Sequence, residues 1–277
     1  MRIALIADVH GNPIALDAVL RDAASAGAER FLFLGDHCAI GPEPSAVLER
    51  IARLPDAVLT RGNTDRYIVT GDGPPPGVKA VREDPDLIPV FAQIAASFAW
   101  TRGHVTATGW LSWLEALPLE IRLEPGGIRM LAVHAAPGTD DGPGIHPGCS
   151  DAELGGMMAE ADADLLIVGH THEPLVRRAG DGMVVNVGSV SNPRAPDLRA
   201  SYLMLEATSA GVELKPRRVA YDHEAFVASV FRSRHPSADF ILAHQRGEVG
   251  STAPHADHLP LAAGTTARVG NGVVVVK

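Results

Sequence analysis

Lysine is almost missing from this chain: of its 24 basic residues only Lys79, Lys215 and Lys277 are lysines. Against 33 acidic residues the formal net charge is −9, and a surface of that sign does not capture nucleic acid broadly. Cysteine is scarcer still. Cys38 and Cys149 form no C-x-x-C pair and are too few for a disulfide framework. Cys38 follows Asp36 closely, yet a small buried hydrophobe is its expected role. No apolar stretch exceeds strand length, so no membrane span is expected. A G-x-x-x-x-G-K run is also lacking, which argues against a P-loop nucleotide hydrolase. The chain opens on a strand-like run rather than a charged and apolar leader, and the cytoplasm is the expected location.

What is present reads as an ordinary globular protein, with 277 residues, 46% hydrophobic and 21% charged. Residues 2–7 predict a buried strand. Asn12 and Pro13 make an N-cap and first-turn pair, and Leu16, Val19, Leu20 and Ala23 follow at helical spacing up to Gly27. Residues 31–34 and 57–60 predict strands around a helix over 45–54. This βαβαβ rhythm implies a largely parallel sheet. Residues 71–78 (GDGPPPGV) are a loop, and 86–113 are mostly helical. Strands are expected over 120–123, 128–133, 165–168, 183–187, 201–205 and 212–217, with a helix over 223–234. A domain over 1–246 is expected, followed by a tail over 247–277 that ends in an edge strand at 273–276. His255 and His258 lie in that tail and are expected to be solvated, lacking further ligands.

Five polar clusters stand directly after apolar runs: Asp8-Val9-His10, Gly35-Asp36, Gly62-Asn63-Thr64-Asp65, His134 and Gly169-His170-Thr171-His172. Each alone has an ordinary explanation as a cap, a turn or a packed histidine. Together they supply Asp8, Asp36, Asn63 and four histidines, an oxygen and nitrogen donor set suited to a pair of divalent metals. The i,i+2 pairs point one way in extended chain. In open α/β sheets, sites lie beyond the carboxyl ends of strands. Five clusters at five strand ends therefore predict one shared site.

The series D-x-H, G-D, G-N-x-D, H and G-H-x-H resembles the calcineurin-like metallophosphoesterases, over the chain to about residue 235. Asp8-Val9-His10-Gly11-Asn12, the Ile40-Gly41-Pro42-Glu43-Pro44 run and Asn186-Val187-Gly188-Ser189 leading to Pro193-Arg194 resemble its small bacterial single-domain branch. The resemblance implies a four-layer αββα sandwich of two mixed sheets with flanking helices. It also implies two metals, one held by Asp8, His10, His172 and a bridging Asp36, the other by Asp36, Asn63, His134 and His170. Four histidines favour Mn, Fe, Zn or Ni over Mg or Ca. Such a pair activates water and clamps phosphoryl oxygens.

The sequence departs from the family at Thr64, where the related motif carries a histidine thought to protonate the leaving group. A threonine hydroxyl is no general acid near neutral pH. His37 is the first substitute to consider, with His146 and His104 behind it. Losing the acid penalises alkyl monoesters most, so a phosphodiesterase is expected. The alternatives are a phosphomonoesterase, a dinucleoside polyphosphate hydrolase, or a non-catalytic interaction scaffold on the same fold. Asn12, Arg66 and Arg194 are candidate phosphate contacts, while Asp140 and Asp141 either shape access or make a turn. Residues 71–85 and 136–149 are the loops expected to choose the organic part of a small diester or nucleotide-like substrate. Oligomeric state is not legible.

Overall fold

The computed structural model describes residues 1–194, 196–248, 266–270 and 273–276. His255 and His258 lie outside the described residues. β1 (Arg2–Ile6), α1 (Pro13–Ser25), β2 (Arg30–Leu34), α2 (Pro44–Ala52) and β3 (Ala57–Thr60) form the expected unit. β1, β2 and β3 pair in parallel, with Leu5 beside Leu32 and Leu32 beside Val58. α1 begins where the Asn12 side chain accepts the Ala15 N–H at 3.0 Å, with Pro13 in the first turn. The helices α3 (Asn63–Thr70), α4 (Val78–Glu83), α5 (Ile88–Ala107) and α6 (Leu111–Glu115) follow.

The second sheet is built from β4 (Glu120–Leu123), β5 (Met130–Val133), β6 (Leu165–Val168), β7 (Leu175–Ala179) and β8 (Gly182–Asn186), with α7 (Asp151–Ala161) between β5 and β6. Its order is β4-β5-β6-β8-β7, parallel at the centre and antiparallel at both edges. The chain then returns to the first sheet through the hairpin β9 (Ala200–Thr208) and β10 (Gly211–Val219), which lies antiparallel beside β1. After α8 (His223–Arg232) and α9 (Ala238–Gln245), β11 (Ala267–Gly270) and β12 (Val273–Val276) extend the same sheet beyond β10. The stretch after residue 246 thus contributes two strands to the sheet of the main domain, and Ala267 and Val269 are buried in its core.

Period-two alternation explains the layering. Ile3, Leu5 and Ala7 point towards the second sheet and meet Met130, Ala132, Leu165 and Ile167. Ala4 and Ile6 point the other way, with Phe31 and Phe33, onto Leu16 and Val19 of α1. In the second sheet Leu166 and Val168 face Leu154 and Met158 of α7. Two mixed sheets packed face to face, with helices outside both, make the αββα sandwich.

Periodicity failed to show α3, α4, α7, α9, β7 and β11, of which α7 and β7 belong to the second sheet layer. α7 hides behind the Gly155-Gly156 pair, and its start carries a capping box. Ser150 Oγ accepts the Glu153 N–H at 3.2 Å, and the Glu153 carboxylate accepts the Ser150 N–H at 2.7 Å. β7 is an edge strand whose Arg177 and Arg178 break the apolar run.

Candidate metal centre

The parallel strands end at one rim, and the five clusters stand there. β1 and β2 stop before their acidic residues, yet the backbone stays paired beyond them. Asp8 N–H donates to Gly35 O at 3.2 Å, His10 N–H to Asp36 O at 3.0 Å and Gly11 N–H to His37 O at 3.0 Å. The i,i+2 pairs are not extended, which corrects the reason given for their convergence. Asp8 (φ 57°), His10 (φ 46°), Asp36 (φ 56°), His170 (φ 69°) and His172 (φ 61°) all have left-handed backbone. That conformation is rare outside glycine, and its clustering marks a site held under local strain.

Two glycines admit this crowding. A Cβ at Gly62 would lie 2.1 Å from Asp36 Oδ1, and one at Gly169 would lie 2.7 Å from Asp8 Oδ2. Asp65 fastens the centre from behind, its carboxylate accepting N–H bonds from Asp36 (2.8 Å), His37 (3.0 Å) and Gly62 (2.9 Å).

Five of the seven predicted ligands fall into two groups of close donor atoms, and Asn63 and His170 lie beside His134. Asp8, His10 and His172 form one group of mutually close donor atoms, and Asp8, Asp36 and His134 form a second. His172 Nε2 is 3.1 Å from Asp8 Oδ1 and 3.2 Å from His10 Nε2. The two oxygens of Asp36 divide between the groups: Oδ2 is 3.8 Å from His10 Nε2 and Oδ1 is 3.5 Å from His134 Nε2. Asn63 Oδ1 lies 3.2 Å from that same His134 nitrogen. His170 stacks edgewise on His134 with ring centroids 5.1 Å apart, and its backbone N–H donates to Asp8 Oδ2 at 3.1 Å. The His170 and His172 pair therefore splits, one ring to each half.

The outer ring nitrogens set the tautomers. His10 Nδ1 donates to Ala39 O at 3.1 Å and His134 Nδ1 to Leu34 O at 2.6 Å, so in the neutral ring each turns a bare Nε2 inward. His170 is reversed: its Nε2 donates to Gly142 O at 2.9 Å and leaves Nδ1 as the donor atom. Lone pairs thus converge on lone pairs. Asp8 Oδ1 is sealed from water and accepts no hydrogen bond from the described residues. A cation satisfies such a set, and mixed carboxylate, amide and imidazole donors fit divalent transition metals.

Without metal, protons take up part of this role. Burial would pull His134 down, but the Asp36 carboxylate more than offsets it and His134 is pushed up to about 10. Burial likewise opposes the Asp36 charge, and His134 and His10 hold that carboxyl far below its usual range. Burial pushes Asp8 up to about 6, His10 down to about 4 and His172 down to about 3.

Thr64 is buried on the first turn of α3. Its N–H donates to Asp36 Oδ1 at 3.0 Å, while its hydroxyl finds no partner among the described residues. His37 does not stand in for an acid. Its Nε2 donates to Thr60 O at 3.0 Å and its ring packs between Phe33 and Trp113, on the helix side of the sheet. His104 is also elsewhere, against Trp100 in a cleft with Pro42 and Glu43. His146 shares a cleft of about 280 Å³ with His170, Glu173 and Arg194.

The candidate phosphate contacts separate in the same way. Asn12 is fully buried and both ends of its amide are used, on Ala15 N–H and on Ser191 Oγ (3.1 Å), so it caps α1 and does not face a substrate. Arg66 bonds Asp140 at 2.9 Å and Asp141 at 2.8 Å, tying loop 139–142 to α3. Asp140 and Asp141 are thus fasteners of that loop. Arg194 bonds Thr171 O at 3.1 Å and stands in the His170 cleft. Cys38 is wholly buried, and burial lifts its thiol well above the usual range.

Two residues escaped sequence reasoning. Tyr67, a turn beyond Asn63, donates its hydroxyl to Asp141. His244 on α9 comes near enough for its charge to bear on His10 and His172, and burial pushes it down to about 4. The i,i+4 spacing of Asn63 and Tyr67 was the one available signal for the first. His244 sits on a helix with no sequence link to the clusters.

Known proteins share this architecture. The profile of the Calcineurin-like phosphoesterase superfamily domain matches residues 1–210. An uncharacterized protein of Methanocaldococcus jannaschii is 28% identical over 251 residues, covering 84% of this chain and 93% of its own. A crystal structure of a hypothetical protein from Pyrococcus horikoshii OT3 superposes with a TM-score of 0.73 at 23% identity, over 89% of this chain and 98% of that one. The metallophosphoesterase from Sphaerobacter thermophilus superposes with a TM-score of 0.69 at 25% identity, over 90% of this chain and all of that one. With the profile spanning most of the 277 residues and the donors gathered at the strand ends, the chain belongs to the calcineurin-like phosphoesterase superfamily.

Proposed function

We propose that this protein is a phosphodiesterase with two divalent metals per chain, acting on a small diester or nucleotide-like substrate. One observation carries the metal part: bare ring nitrogens and the unpartnered Asp8 Oδ1 converge in two groups, with one oxygen of Asp36 turned towards each. Asp8, His10 and His172 would hold one ion and Asn63, His134 and His170 the other, with Asp36 common to both. Metals of the Mn, Fe, Zn and Ni group suit these donors, and when bound they supply Lewis acidity towards water and the phosphoryl oxygens. The chain's own residues do the rest. Leu34 O, Ala39 O and Gly142 O fix the rings, and Arg194 places a guanidinium beside His170, where it can meet phosphate charge.

Thr64 supports the choice of diester. No imidazole stands at that position, so a leaving alkoxide receives no proton from it, and esters with better leaving groups are favoured. Among the described residues no helix is long and apolar enough to cross a membrane, and the cytoplasm remains the proposed location. The test is hydrolysis by Mn-loaded protein of bis(p-nitrophenyl) phosphate against p-nitrophenyl phosphate. Preference for the diester is expected, and strong preference for the monoester refutes the reading. Fewer than one metal per chain by elemental analysis, together with no turnover, would favour the interaction scaffold instead.

A further inference from the structure

A second cavity, of about 680 Å³, lies a helical turn from the second half of the centre. Its inner wall is the face of α5 that carries Phe91, Ala95, Phe98 and Ala99, and the proline-rich loop from Gly71 to Gly77 stands opposite. Two links join it to the ligands. Tyr67 and Arg66 line it from α3, one turn after Asn63. Asp141 lines it from the loop whose next residue, Gly142, accepts the His170 ring N–H at 2.9 Å. The two segments expected from the sequence to select a substrate, 71–85 and 136–149, thus both contribute to this wall.

We propose that this cavity receives the nucleobase of a nucleotide-type diester while the phosphate sits at the metal centre. The proposal rests on the phosphodiesterase reading. Its chemistry favours a flat heteroaromatic ring over an alkyl chain. Ala95 and Ala99 are small, exposed positions beside Phe91 and Phe98, leaving a floor on which a ring can lie. Tyr67 packs edgewise on Phe98 at 5.9 Å between centroids and extends that wall towards Asn63. Asp72 sets a carboxylate acceptor at the margin, which suits an exocyclic amino group and would cost an alkyl chain its desolvation. The volume falls within the range of small-molecule sites, about 300–1,000 Å³.

The experiment is calorimetric titration with adenosine, using hexan-1-ol as an alkyl probe, on metal-free and Mn-loaded full-length protein. Saturable adenosine binding is expected in both forms, with none for hexanol. Ala95→Trp, which fills the floor from an exposed helix position, and Phe91→Ala, which removes one wall, should each weaken adenosine at least tenfold. Thermal melts verify that both variants fold. Adenosine should also compete with bis(p-nitrophenyl) phosphate in the Mn-loaded wild type, and less so in Ala95→Trp. The proposal is overturned if adenosine does not bind, if Ala95→Trp binds it as well as wild type, or if hexanol matches it. Adenosine binding without any diester turnover supports the cavity and sinks the phosphodiesterase reading. Turnover that is blind to adenosine does the reverse.

Discussion

Asp65 offers the sharpest test of how the centre is held, because it ligates nothing and yet fixes residues that do. Its carboxylate is 1% exposed and accepts three backbone N–H groups, from Asp36 and Gly62 through Oδ2 and from His37 through Oδ1. Asp65→Ala orphans all three donors in a dry interior. At about 1–3 kcal/mol for each unsatisfied group, with part recovered where water enters, the loss should be about 3–5 kcal/mol. A loss at the top of that range could unfold a chain whose total stability is of order 5–15 kcal/mol. Asp65→Asn is therefore the second arm. It keeps one carbonyl oxygen for Asp36 and Gly62 and turns an amide N–H₂ towards His37 N–H, so about 1–3 kcal/mol is expected. Denaturant unfolding of the metal-free protein measures both. Metal titration supplies the independent readout: outer partners of ligating groups are worth about 10–100-fold in affinity, and both variants should fall in that range. A loss below about 1 kcal/mol for Asp65→Ala, or unchanged metal affinity in a folded variant, would show that the three bonds do not position Asp36.

Three further outcomes follow from the same geometry. In metal-free protein His134 is raised to about 10 in the fold, against about 6.5 when unfolded. Its contribution is therefore complete below about 6.5 and lost as pH rises towards 10, so the urea midpoint of chelator-treated protein should fall across that window and His134→Gln should flatten the slope. Gly62→Ala would set a Cβ 2.1 Å from Asp36 Oδ1 and 2.5 Å from its backbone nitrogen; elemental analysis should show metal content reduced, and full occupancy would contradict the close approach. Thr64→His should raise monoester turnover at least tenfold relative to diester turnover, and an unchanged ratio would remove Thr64 as the cause of any preference.

The sandwich was legible where burial is two-sided and the chain obeys one period. β1, β2 and β6 are short apolar runs with glycine or polar punctuation, and the capped α1 announces itself through Asn12 and Pro13. The reading weakened wherever tertiary contacts override the local pattern. β7 carries two arginines because an edge strand is half solvated, and α7 needs its capping box because Gly155 and Gly156 dilute its helical signal. The end of the chain looked like a tail because its composition is poor in core residues. Ala267 and Val269 are nevertheless enough to dock β11 against β10.

At the centre, residue identities were readable while the conformation that unites them was not. Extended geometry would direct Asp8 with His10, and His170 with His172, at a single ion each. Five left-handed residues replace it, at roughly 1–3 kcal/mol apiece. The compensation lies in contacts between distant segments. Asp8, His10 and Gly11 N–H groups reach the carbonyls after β2, Asp8 Oδ2 takes the His170 N–H, and Asp65 gathers the Asp36 and His37 N–H groups. None of these pairings has a signature in one segment alone. They also explain why His37, adjacent to Asp36 in sequence, is turned away from it in space. The left-handed residue sends Asp36 to the rim and its neighbour behind the sheet, so adjacency in sequence was the wrong guide to an acid. His146, farther along the chain, instead lines one cleft with His170 and Arg194.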